Sequence, residues 1–184
     1  MAEKKRRGGA LGGVLVAGAV ALGAGSYWFQ PWKLWQDAAV HEALPTGPPA
    51  PAASGPGAPA GPDGAPDPRT LAQGALISHE HPTTGTVRLV RLPDGSRTLR
   101  LENLDTSNGP DLRVWLTDAP VRAGAGGWRV FDDGRHLSLG KLKGNKGDQN
   151  YAVPPEVNLA DYTSVTIWCD RFGVSFGAAA LTPV

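Results

Sequence analysis

The sequence predicts an all-β domain, an antiparallel β-sandwich or small Greek-key barrel, and three observations predict it. Apolar and polar residues alternate at period two in short runs, as they do in strands with one buried face. The clearest pair of runs flanks a four-residue Pro-Asp-Gly-Ser turn. The remaining runs are short and are separated by glycine, proline and asparagine, which is the texture of a sandwich rather than of helices.

Before that domain comes a segment of different character. Residues 1–7 form a basic tail, in which Lys4, Lys5, Arg6 and Arg7 precede residues 8–32, a stretch with no charged side chain. As a helix it is long enough to cross about 30 Å of hydrocarbon. It is therefore expected to be a transmembrane signal-anchor that meets membrane lipid through residues 8–32. The positive-inside rule then leaves the N-terminus cytoplasmic and the rest of the chain extracytoplasmic, as a single-pass protein of the cell membrane. Tyr27, Trp28, Phe29, Trp32 and Trp35 fit an interfacial belt. Two alternatives stay open: cleavage after the small residues Ala24, Gly25 and Ser26, giving a secreted protein, or packing of Trp28, Trp32 and Trp35 on the domain.

Residues 33–68 read as a linker. From 45 to 68 the chain is almost entirely proline, alanine and glycine, with Asp63 and Asp67 as its only charges. Such a composition cannot bury enough apolar surface to offset chain entropy, so a disordered, semi-stiff stalk is expected there.

The folded unit is residues 69–184. Residues 86–92 and 98–104 make the hairpin, with Val87 and Leu89 alternating against Arg88, and Leu99 and Leu101 against Arg100. A third strand is expected over 112–116, after the turn Asn108-Gly109-Pro110. A polar, glycine-rich loop over 142–150 leads to Tyr151, and two last strands fall near 164–169 and 173–181.

Several functions are excluded at this level. Eighteen Lys and Arg against seventeen Asp and Glu give a net charge of +1, which is no footprint for nucleic acid. The single cysteine rules out an intrachain disulfide and every multi-cysteine metal pattern. There is no nucleophile elbow and no P-loop, so the chain gives no sign of a hydrolase or transferase.

What remains is Cys169. Strand parity puts Val165, Ile167 and Cys169 on one face and Thr166 and Trp168 on the other. A cysteine facing the core is normally a small hydrophobe with a raised pKa. The other reading is a redox thiol or a ligand to a prosthetic group. His79 and His81, two apart in an extended segment, are candidate metal co-ligands with Cys169, for copper or zinc. Met1 is the only methionine, so a blue-copper axial ligand is lacking. If Trp115, Trp128 and Trp168 lie exposed, they make a contact surface instead, and Cys169 is packing.

Taken together, the blocks resemble the DM13 domain family. The likeness rests on His81, Gly85-Thr86-Val87, Leu99-Arg100-Leu101-Glu102-Asn103 and Asn108-Gly109-Pro110-Asp111-Leu112. It continues through Leu142-Lys143-Gly144, Gly147-Asp148-Gln149-Asn150-Tyr151, Ile167-Trp168-Cys169 and Phe176-Gly177. It covers about residues 74–181 and describes a membrane-anchored bacterial member. The resemblance implies a compact β domain whose cysteine serves electron transfer, as a naked thiol or as ligand to a group such as haem. Cys169 takes that position, with His81, Asp148 and Tyr151 as candidate walls of a cofactor site. Its redox or binding partner in the cell envelope is then supplied in trans.

Overall fold

The computed structural model describes residues 3–45 and 67–184. The chain forms a helix α1 (Glu3–Phe29), a short 3-10 turn (Pro31–Trp35) and eleven strands among these residues. They are β1 (Ala39–His41), β2 (Arg69–Ala75), β3 (Ile77–Ser78), β4 (Thr84–Arg91), β5 (Arg97–Asp105) and β6 (Leu112–Thr117). β7 (His136–Lys141), β8 (Lys146–Val153), β9 (Ser164–Cys169), β10 (Val174–Ala180) and β11 (Thr182–Pro183) follow. One sheet has the order β1-β8-β5-β4-β2-β11 and the other β3-β10-β9-β6-β7. This is the expected sandwich, antiparallel at every pairing except β1 against β8.

The β4–β5 hairpin forms as its turn chemistry dictates. Gly95 takes φ +84°, and Asp94 accepts from the backbone N–H and the hydroxyl of Ser96 at 2.9 and 2.6 Å. Between the sheets lie Val87, Leu89, Leu99, Leu101, Val114, Leu116, Val165, Ile167 and Cys169, all buried. The five-stranded sheet is covered on its other face too. Residues 118–135 fold over it, and Ala119 and Phe131 pack with Trp115, Trp168 and Ala178. Every residue of β9 is therefore buried, on both faces.

Three expectations change, and a fourth falls outside the described residues. The polar stretch 142–151 is not a loop up to Tyr151, because Lys146–Val153 is a central strand paired with β5. Its glycine and asparagine have low strand propensity, and tertiary pairing overrides it. The linker does not begin at 33: β1 lies before the Pro/Ala/Gly-rich stretch and is already part of the sheet. The stalk expected over 45–68 falls largely outside the described residues, at 46–66. Finally, α1 forms, yet among the described residues no helix is long and apolar enough to cross a membrane. Seven glycines and five alanines dilute the apolar character of residues 8–29, so the single transmembrane helix expected over 8–32 is not supported.

The start of β1 is fixed by side chains from the domain. Asn145, buried, accepts from the Ala38 N–H at 2.7 Å and donates to Asp37 and to the Thr106 carbonyl, both at 2.8 Å. Gly147, at φ +90°, leaves room where a Cβ would run into the Val40 carbonyl. Only glycine combines that backbone angle with so close an approach.

Candidate functional site

Cys169 ends β9, between Leu112 of β6 and Val174 of β10, and has no solvent exposure. Its carbonyl accepts from the Phe172 and Gly173 N–H groups at 3.2 and 2.9 Å, closing a tight turn in which Gly173 sits at φ +58°. The backbone amides of Phe172, Asp111 and Arg171 lie close by at this end of β9. Burial pushes the thiol pKa up; the three amides pull it down, and the charge of Glu80 adds a smaller upward push. The parity reading of Cys169 as an inward-facing residue holds. Its corollary, that Cys169 or Trp168 must be exposed, does not, because the 118–135 segment covers the Trp168 side.

Beside this thiol lies a cavity of about 340 Å³. Phe172 and Phe176, which pack in the same cluster as Cys169, form part of its wall with Glu80, His81 and the Gly109-Pro110 turn. Cys169 itself is not in the wall. The opposite side is built from Phe29, Gln30, Pro31 and Lys33. Phe29 stacks on Phe172 at 5.7 Å, Lys33 reaches the Pro110 carbonyl at 3.5 Å, and Arg171 donates to the Trp28 carbonyl at 2.6 Å. The sequence reading missed this wall. Its signal was Gln30-Pro31: proline disfavours helix at the preceding residue, so α1 stops at Phe29, and Gln30 turns the chain at φ +46°.

The two histidines part company. The His81 ring lies tilted against Phe176, with centroids 3.9 Å apart, and 3.9 Å from Glu80; burial lowers its pKa while Glu80 raises it. His79 points to the other face of the sheet. There Nδ1 meets the Ser175 hydroxyl at 2.7 Å, Nε2 the Arg122 carbonyl at 3.1 Å, and the ring stacks on Phe131. Both its nitrogens are engaged, and the sheet separates them from Cys169. Among the described residues no group of three or more His, Cys, Asp or Glu is placed to hold a metal ion. The trio His79, His81 and Cys169 is not assembled.

Asp148 and Tyr151 also lie apart from the thiol. Asp148 accepts from the Asn103 N–H at 2.8 Å and from Arg100 at 3.2 Å, holding Asn103 at φ +51° in an irregular stretch of β5. Tyr151 donates to Gln149 Oε1 at 2.7 Å and accepts from the Lys143 N–H at 3.1 Å; burial pushes its pKa up to about 12. Gln149, with no exposure, also binds the Gly144 carbonyl through Nε2 at 2.7 Å. The motif Gly147-Asp148-Gln149-Asn150-Tyr151 thus secures a loop and a strand. Nor do Trp115, Trp128 and Trp168 make a contact surface: Trp115 and Trp168 are buried and Trp128 is partly so.

A family model described as Electron transfer DM13 matches residues 75–181, more than half of the chain. The chain belongs to the DM13 family. No curated protein and no solved structure matches it significantly. The DM13 match runs from the last residue of β2 past the end of β10 and takes in Cys169, His81 and the Gly109-Pro110 turn. It leaves out α1 and β1. The inner side of the cavity is therefore DM13 domain, and its outer wall is supplied by the segment that precedes it.

Proposed function

We propose that this DM13 protein is an electron-transfer module in which Cys169 is the redox residue, acting as a thiol without a bound group. The observation that carries this reading is the one free cysteine among the described residues, buried at the tight β9–β10 turn, in a domain whose family is described by electron transfer. Burial pushes its pKa up, and the neighbouring backbone amides pull it down by less. The net rise in pKa keeps the group a thiol at neutral pH.

Haem and copper fit the residues poorly. Cys169 is fully buried and absent from the cavity wall, and His79 lies across the sheet with both nitrogens engaged. No step is routed through such a group. The test is voltammetry of the full chain adsorbed on an electrode, beside its absorption spectrum and metal content. On oxidation the thiol gives one electron to the electrode and its S–H proton to the buffer, so a one-electron wave whose potential falls as pH rises, and which vanishes in Cys169→Ala, is expected; no wave in the unmutated protein would sink the reading.

We further infer that the domain acts outside the cytoplasm with a redox partner in trans, and that residues 8–32 rest against membrane lipid. Val14, Leu15, Val16, Val20 and Leu22 are at least 65% exposed, and such a surface calls for an apolar cover. Protease added to intact spheroplasts should digest the domain, and release of the protein by salt alone would count against lipid contact. A second reading, an envelope binding module with Cys169 as packing, is favoured by the thiol's complete burial.

A further inference from the structure

The outer face of the five-stranded sheet carries a row of stacked rings that the reading above leaves unused. It crosses three adjacent strands, from His136 on β7 to Trp115 on β6 to Trp168 on β9. The first pair is 4.4 Å apart between centroids and 10° from parallel; the second is 5.1 Å apart at 27°. Thr117 stands opposite His136, and Arg113 opposite Trp168. The rings are thus diagonal neighbours, within the reach of aromatic side chains across strands. His136 is exposed, Trp115 is 6% exposed and Trp168 1%. The row starts in solvent and ends inside the protein, at the residue before Cys169.

Two details suit it to carrying charge. Trp115 Nε1 is buried and has no hydrogen-bond partner among the described residues, an arrangement that costs about 1–3 kcal/mol where a partner is lacking. An oxidised indole ordinarily loses its Nε1 proton to an acceptor, and the neutral radical left behind is a weaker oxidant. Without an acceptor Trp115 keeps the proton, and its radical cation retains the drive to draw the next electron. At the surface end, His136 Nδ1 lies 3.2 Å from the Gly134 carbonyl, which can only accept. Nδ1 is thus the nitrogen engaged within the turn, and Nε2 is the one without a hydrogen-bond partner among the described residues.

We propose that His136, Trp115 and Trp168 form an electron relay between a metal-centred one-electron oxidant seated over His136 and the interior at Trp168, beside Cys169. The proposal rests on the electron-transfer reading and gives it a route and a docking point. In one passage the oxidant gains one electron from Trp115, and Trp115 regains one from Trp168. No bond forms or breaks, and no proton leaves Trp115. The passage ends with the electron vacancy on Trp168, the residue before Cys169.

The test attaches a ruthenium(II) polypyridyl complex to Nε2 of His136 in the full chain, purified from forms labelled at other histidines, and oxidises it by a flash with a diffusible quencher. The expected result is decay of ruthenium(III) with growth of an indole-radical absorption, and loss of that absorption in Trp115→Phe. Should that variant fail to fold, the unmutated chain labelled at the exposed His41, on β1 at the edge of the other sheet, serves instead; it should give no such radical. Equal radical yield from the two labels, or an unchanged yield in folded Trp115→Phe, overturns the relay. Cys169→Ala reads the underlying proposal separately. A longer-lived radical supports refilling from the thiol, whereas an unchanged lifetime counts against Cys169 alone and leaves the relay standing.

Discussion

Gln149 shows how much a single buried amide can hold. Its Oε1 accepts from the Lys143 and Gly144 N–H groups and the Tyr151 hydroxyl, and its Nε2 donates to the Gly144 carbonyl. In Gln149→Leu these groups stay buried without their partner, which costs roughly 1–3 kcal/mol for each group left unsatisfied. We expect a lower urea midpoint at unchanged m-value, with a loss of at least about 2 kcal/mol. Tyr151 gives the fold an alkaline limit. Its folded pKa lies near 12 and its ordinary value is 10.0, so the folded state holds the proton more tightly between those values. Stability present below pH 10.0 is then lost as pH rises toward 12, by about 2 kcal/mol. Tyr151→Phe should flatten that limb in chemical denaturation at pH 9 to about 12. At this scale the sequence was partly legible. Parity placed Cys169 inward, but it is silent on what covers the outer face of a strand, so the burial of Trp168 and the separation of His79 from Cys169 could not be read. Asp148 and Tyr151 stood out as unusual residues, and their work proved to be hydrogen bonding within the fold.

Among the elements, the hairpin and the last two strands were readable because turn chemistry and alternation agree there. β8 was hidden by residues that suit a loop, and β1 by its three-residue length and its position before the linker. Glycines mark both cases. Gly147→Val should displace β1, since a Cβ there meets the Val40 backbone; the check is faster amide exchange over residues 38–42 with the β4–β5 core still protected. At the β9–β10 turn, Gly173 holds a left-handed angle that an L-residue adopts at a cost of about 1–2 kcal/mol. Gly173→Ala should lose that amount in thermal or urea unfolding.

For the whole molecule, the N-terminal segment and the DM13 domain build one cavity between them. Phe29→Ala removes the ring stacked on Phe172, and the rate of carbethoxylation at His81 should rise while global stability changes by less than about 0.5 kcal/mol. An unchanged rate would mean that Phe29 does not gate access to that side chain. The order of strands has a bearing on the segment between β1 and β2. These strands sit four places apart in one sheet, about 19 Å at ordinary strand spacing. The chain therefore leaves and re-enters the same sheet on either side of residues 46–66, so the number of residues between β1 and β2 does not set how far α1 lies from the domain. That distance is set by residues 30–38, ahead of β1. A single proteolytic cut between β1 and β2 would leave two fragments clasped by the β1–β8 pairing.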